Sequence, residues 1–214
     1  MIAGAPPVDR PHLGYQAVIG TAVHEAIADA VARVEVDAWT REERTAETWL
    51  VEHRVHVGHV NGVDVAGNVD LFHVPSGTVV DHKVTSTRQA PVKAANPDRQ
   101  YVAQLHLYGK GLEDAGYRVT QVALNFVPRD GGDVHVWSAP YDRQVAVDAL
   151  DRASAIAFTI ERLGLDQAVT ALPMVDAYCP WCPWHRDDAT TPDACPGVPR
   201  PTRTASTALA DILN

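Results

Sequence analysis

The feature that constrains this chain most is a pair of acids set on either side of a tight turn. Residues 63–71 alternate Val63, Val65, Gly67, Val69 and Leu71 against Asn68 and Asp70, the period-two pattern of a strand. Pro75-Ser76-Gly77 supplies the turn. Residues 79–85 read as the next strand, with Val79, Asp81, Lys83 and Thr85 on one face. A hairpin centred near Pro75 and Ser76 places Asp70 and Asp81 opposite each other to within one residue of register. Like charges across a ladder repel, so something cationic is expected between them, and a hard divalent ion held by carboxylate oxygens meets that need. The competing reading is two acids on a solvated strand face.

Lys83 favours the ion. It lies two residues beyond Asp81 on the same face, where phosphodiester hydrolysis requires an ammonium to orient water or offset charge on the phosphate. The plainer alternative is a salt bridge between strand neighbours.

The elements around this hairpin describe an α/β chain. Residues 1–15 hold three prolines and no apolar period, and read as an irregular lead-in. From Thr21, taken as an N-cap, Val23, Ala26, Ile27, Ala30, Val31 and Val34 follow the helical stripe. A strand is expected over 49–59. Asn96-Pro97-Asp98 has the form of a helix start and Gly116 of its stop, with Gln100, Gln104 and Tyr108 on one face between them. Strands over 119–127 and 134–139, split by Arg129-Asp130-Gly131-Gly132, precede a helix over 142–163.

These residues resemble the RecB-like branch of the PD-(D/E)xK nucleases, which includes CRISPR-associated and phage exonucleases. The resemblance runs through Gly20-Thr21-Ala22-Val23-His24-Glu25, Gly67-Asn68-Val69-Asp70, Val80-Asp81-His82-Lys83, and Tyr101-Val102-Ala103-Gln104-Leu105-His106-Leu107-Tyr108. It implies a restriction-endonuclease-like core, a mixed central sheet flanked by helices. It also implies a metal-dependent DNA nuclease, an exonuclease of DNA ends or single strands in repair, recombination or phage replication. His24, Asp70 and Asp81 would then ligate Mg²⁺ or Mn²⁺, Lys83 would assist catalysis, and Gln104 and Tyr108 would support the site. A helicase, recombinase or other repair-complex partner goes with that role. Alone, His24 reads equally as a core histidine, and Gln104 and Tyr108 as one face of an amphipathic helix. Glu25 points about a hundred degrees round the helix from His24 and is expected only behind the site or in a salt bridge. Thr85, Ser86, Thr87, Arg88 and Lys93 are phosphate contacts or solvated loop.

All three cysteines fall late, in Cys179-Pro180-Trp181-Cys182-Pro183-Trp184-His185 and Cys195. An odd, clustered set argues for metal over disulfides, and Cys-x2-Cys presents two thiolates to one ion. Many relatives in the family close the nuclease with an iron–sulfur cluster on one N-terminal and three C-terminal cysteines; this chain has none before Cys179. Three readings stay open: His185 completing a Cys3His zinc site, a 4Fe-4S cluster with a non-cysteine fourth ligand, or a cysteine upstream of Met1. A metal-free remnant is the fourth. Any such metal is structural, in a module at 173–214 appended to a nuclease domain at 1–172.

A net charge of −9 argues against a protein that coats nucleic acid by bulk electrostatics, but not against a nuclease, whose metal site needs acids. With 46% apolar residues, no long apolar run and no leader pattern, a soluble cytoplasmic protein is expected. The rival function is a non-catalytic nucleic-acid-binding or assembly subunit with a nuclease-like fold, against which the facing acids and Lys83 speak.

Overall fold

The computed structural model describes residues 14–40, 48–164, 167–168 and 171–172 of the chain, with side chains of the first helix described from 18 to 36. Helix α1, Gly14–Thr40, leads into a long antiparallel ribbon of β1, Trp49–Val60, and β2, Val63–His73. Asn61 and Gly62, at φ +49° and +77°, close that ribbon. Positive φ at both central residues is the turn that matches the twist of paired strands.

Strand β3, Thr78–Thr85, returns antiparallel to β2. Gly77 makes this second turn at φ +68°, and a Cβ there would lie 2.2 Å from the Arg118 carbonyl oxygen, so no other residue fits. The chain then crosses through α2, Ala90–Ala95, and α3, Arg99–Asp114, to β4, Gln121–Pro128, which pairs parallel to β3. Strand β5, His135–Pro140, adds antiparallel to β4, and α4, Arg143–Leu163, follows. The sheet is therefore mixed and five-stranded, in the order β1-β2-β3-β4-β5. This is the α/β core expected from the sequence.

Alternate strand residues feed two layers. Leu50, Phe72, Val79, Val122, Leu124 and Phe126 form the larger core with Ala90 of α2 and Leu105 and Leu112 of α3. On the other layer Leu71, Val80 and Ala123 meet Ile27 and Val31 of α1.

Two helix boundaries differ from the sequence reading. Thr21 is not an N-cap: α1 already runs from Gly14, because Tyr15 to Ile19 are helix-compatible and the single Gly20 costs only about 1 kcal/mol in a helix interior. Asn96 caps the C-terminus of α2, with Pro91 in its first turn, and Asp98 is the N-cap of α3. The Asn96-Pro97 signal thus marks a break between two helices. Gly116, at φ +97°, does stop α3, where Tyr117 N donates to Leu112 O at 3.0 Å and Gly116 N to Glu113 O at 2.9 Å. Asp142 caps α4 by accepting from Gln144 N at 2.8 Å.

The described residues up to Ala157 form one compact unit, and those from Phe158 onward fall outside it. The sheet lies wholly in that unit. No helix among the described residues is long and apolar enough to cross a membrane.

Candidate active site

Strands β2 and β3 pair over only three positions, Leu71↔Val80, Phe72↔Val79 and His73↔Thr78. The same register would next set Asp70 opposite Asp81, and there the ladder ends. Strand β3 continues beside β4 as far as Thr85↔Pro128, so the two strands part at the two acids. The His82 amide, released from the ladder, donates to Asp70 Oδ2 at 2.8 Å.

Helix α1 closes over this opening. His24 Nδ1 lies 3.2 Å from Asp70 Oδ2, and its ring stands edge-on to His82, 5.9 Å between centroids. The structure thus brings His24 and Asp70 into direct contact.

Asp81 is 2% exposed. Burial, and after it the charge of Asp70, push its carboxyl up to about 6, with Lys83 pulling the other way. Lys83 Nζ stands 2.8 Å from Asp81 Oδ2. That contact is ionic and poorly directed, since Oδ2 is sealed from solvent and has no aligned hydrogen-bond donor. A buried carboxylate short of a directed partner, facing a second carboxylate, is a donor set that a divalent cation would satisfy. The residues therefore fit the hard ion inferred from the sequence.

Lys83 is fixed from two further sides. Gln104 Oε1 accepts from Nζ at 3.3 Å, and the Tyr101 ring lies 4.7 Å below it. Gln104 Nε2 in turn donates to the Tyr108 hydroxyl at 2.7 Å. The shared helix face of Gln104 and Tyr108 is thus a hydrogen-bonded chain ending on the lysine. Tyr108 packs so closely on Gly67 that a Cβ at 67 would sit 2.6 Å from Tyr108 Cε1.

Glu52 was missed by the sequence reading. It falls opposite Asp70 in the β1–β2 register, between Val51↔Leu71 and His53↔Val69, and takes φ +47°. Positive φ is uncommon for a glutamate and concentrates at functional sites. One donor atom each from His24, Glu52 and Asp70 lie within 4.8 Å of one another. Burial and then Asp70 raise the Glu52 carboxyl above its ordinary value. A cleft of about 660 Å³, lined by Gly20, Thr21, His24, Glu25 and Glu52, leads to this trio. Glu25 therefore faces the approach.

Of the loop residues, Thr87 is engaged: its amide and hydroxyl both donate to Asp130 Oδ1, at 2.7 and 2.9 Å. Lys93 lies on α2 rather than in a loop, and its Nζ pairs with Asp98 at 2.7 Å. Cys179, Cys182, His185 and Cys195 lie outside the described residues, so the expected zinc or iron–sulfur module does too.

No curated protein matches the sequence. A solved structure described as the crystal structure of SSO0001 is similar at 13% identity and a TM-score of 0.45, over 69% of this chain and 62% of that one. The family model of the PD-(D/E)XK nuclease superfamily matches residues 5–186. That span includes the parted strands, both acids and the lysine, and the chain belongs to the PD-(D/E)XK nuclease superfamily.

Proposed function

We propose that this protein is a divalent-metal-dependent deoxyribonuclease that works as an exonuclease on DNA ends or single strands. The superfamily's nucleases typically depend on Mg²⁺ or Mn²⁺. The observation that carries the reading is the buried Asp81, pushed up to about 6 beside Asp70 and touched by Lys83. An arrangement this costly to fold serves a ligand rather than stability.

In this reading Asp70, Asp81 and His24 hold the ion, with Glu52 completing the set from β1. When bound, Mg²⁺ or Mn²⁺ supplies charge neutralisation at the phosphate and acidifies water. Lys83 Nζ, held by Gln104 and Tyr101, stabilises the negative charge that develops on the phosphate oxygens. Tyr108 acts one step back, fixing the Gln104 amide so that its oxygen faces the lysine. Partners in repair, recombination or phage replication belong to the same proposal.

Digestion of end-labelled linear DNA, single- and double-stranded, alongside closed circular DNA tests the reading. Short labelled products from linear DNA with Mg²⁺ or Mn²⁺, none with EDTA and an intact circle are expected. Nicking of the circle at a comparable rate would replace the exonuclease with an endonuclease. No cleavage by folded protein with either metal would overturn the nuclease and leave a DNA-binding subunit.

A further inference from the structure

The tip of the β1–β2 ribbon carries a second cluster of donors, remote from the parted strands. His56 and His59 are three residues apart on one strand, an odd spacing that sends side chains to opposite faces of a regular strand. The register steps between them: His56 pairs with Ala66, Gly58 with Val65 and His59 with Asp64. The additional residue is a bulge, which resets the alternation.

Gly58 makes the bulge possible at φ +148°, and a Cβ there would lie 2.8 Å from Leu150 Cδ1. Val57 stays 3% exposed beneath it, and Lys110 Nζ donates to the Val57 carbonyl at 2.9 Å. The consequence lies on the outer side, where the two imidazoles stand with ring centroids 4.8 Å apart.

Both rings aim at one oxygen. Asp64 Oδ1 is 3.4 Å from His56 Nε2 and 2.6 Å from His59 Nε2. All three donor atoms lie within 4.8 Å of one another. Tetrahedral ligation with Zn–N of about 2.0–2.1 Å and Zn–O of about 2.0–2.2 Å requires donors roughly 3.3–3.5 Å apart. The His56–Asp64 separation already has that value. The shorter one opens by less than about 1 Å to reach it, a rotamer adjustment within reach of side chains 61% and 73% exposed.

We propose that His56, His59 and Asp64 form a second metal site, which takes a borderline divalent cation of the zinc class. Two imidazoles and one carboxylate suit Zn²⁺, Ni²⁺ or Cu²⁺ and discriminate against Mg²⁺. The open side of the cluster faces solvent, leaving the remaining coordination positions to water. An ion there ties β1 to β2 across the Asn61-Gly62 turn. The site stands apart from the nuclease assignment, its nearest ligand, His56, roughly 13 Å along the strand from Glu52.

The test is equilibrium dialysis of the full chain against Zn²⁺ at neutral pH, comparing wild type with His56→Ala/His59→Ala and with Asp64→Asn. Zinc held elsewhere on the chain is common to all three and cancels. The double variant is expected to bind one fewer zinc ion per chain, Asp64→Asn to bind it more weakly, and all three to melt alike in EDTA. Equal zinc content in wild type and a double variant that melts normally would overturn the site. Should the double variant fail to fold, the same comparison with the single variant His59→Gln decides, and unchanged zinc affinity there would overturn it equally.

Discussion

One long ribbon carries carboxylate donors at both its ends, met by a histidine of α1 at one and by its own two histidines at the other, and the two ends are built in opposite ways. At the base, Glu52 and Asp70 meet His24, with Asp81 facing them from β3 at 2% exposure. At the tip, one exposed carboxylate, Asp64, meets two exposed imidazoles. The tip is inexpensive, because opposite partial charges meet in water and neither is desolvated. At the base the charge of Asp70 raises the cost of ionising both the buried Asp81 and the exposed Glu52 beside it. A ligand at the tip therefore adds a little to a stable hairpin, while a ligand at the base relieves a penalty built into the fold.

Asp81→Asn breaks the comparison at its most expensive point. Cleavage of DNA is expected to fall by at least about 1000-fold, the scale of losing a principal charge-stabilising group. The metal-free protein should become more stable at the same time. The unfolded carboxyl ionises near 3.8 and the folded one near 6, so the penalty is absent below the first value, grows between them and is complete above the second. In EDTA, melting curves at pH 7.5 should show Asp81→Asn ahead of wild type by on the order of 1–3 kcal/mol, with the gap closing as pH falls towards 4.

Lys83→Ala comes next, with a loss of roughly 100-fold or more in turnover. Lys83→Arg should rescue poorly, because a planar guanidinium does not fit the space that a compact ammonium occupies between Asp81, Gln104 and Tyr101. Rate measurements at saturating metal separate the two variants from a binding defect.

Glu52→Gln sharpens the base of the ribbon further. Its expected loss of about 10-fold at limiting Mn²⁺ should shrink as Mn²⁺ is raised, since the residue adds a donor rather than the central charge. Gly67→Ala has the smallest effect at the base. The added methyl displaces Tyr108 and costs about 1–3 kcal/mol of stability, with a few-fold loss of activity as Gln104 and Lys83 lose their support. Thermal melts and digestion rates of the same preparation check both.

The acids and the lysine were legible in the sequence because strand alternation and a Pro-Ser-Gly turn fix their register within narrow limits. The five strands were legible for the same reason, since each shows its own alternation or apolar run, whereas their mixed pairing was implied only by the family resemblance. Glu52 was not, because nothing local distinguishes it. It becomes a candidate only when β1 is counted back from the Asn61-Gly62 turn through the one-residue bulge at Gly58, because without that bulge the count sets Glu52 opposite Leu71. The His56 and His59 pair was hidden by its odd spacing, which reads as opposite faces until the Gly58 bulge is known. Thr21 and Asn96 misled for local reasons: the residues before Thr21 are already helix-compatible, and Asn96 ends α2 rather than starting α3.

The central claim is that Asp70, Asp81 and Lys83 make one metal-dependent hydrolytic site where β2 and β3 part. Its most direct test is the cleavage rate of end-labelled DNA with Mn²⁺, for wild type and Asp81→Asn side by side, each shown to be folded by its melting curve. EDTA-sensitive cleavage is expected from the wild type and none from the more stable variant. Cleavage at equal rates would contradict this and place the chemistry elsewhere on the chain.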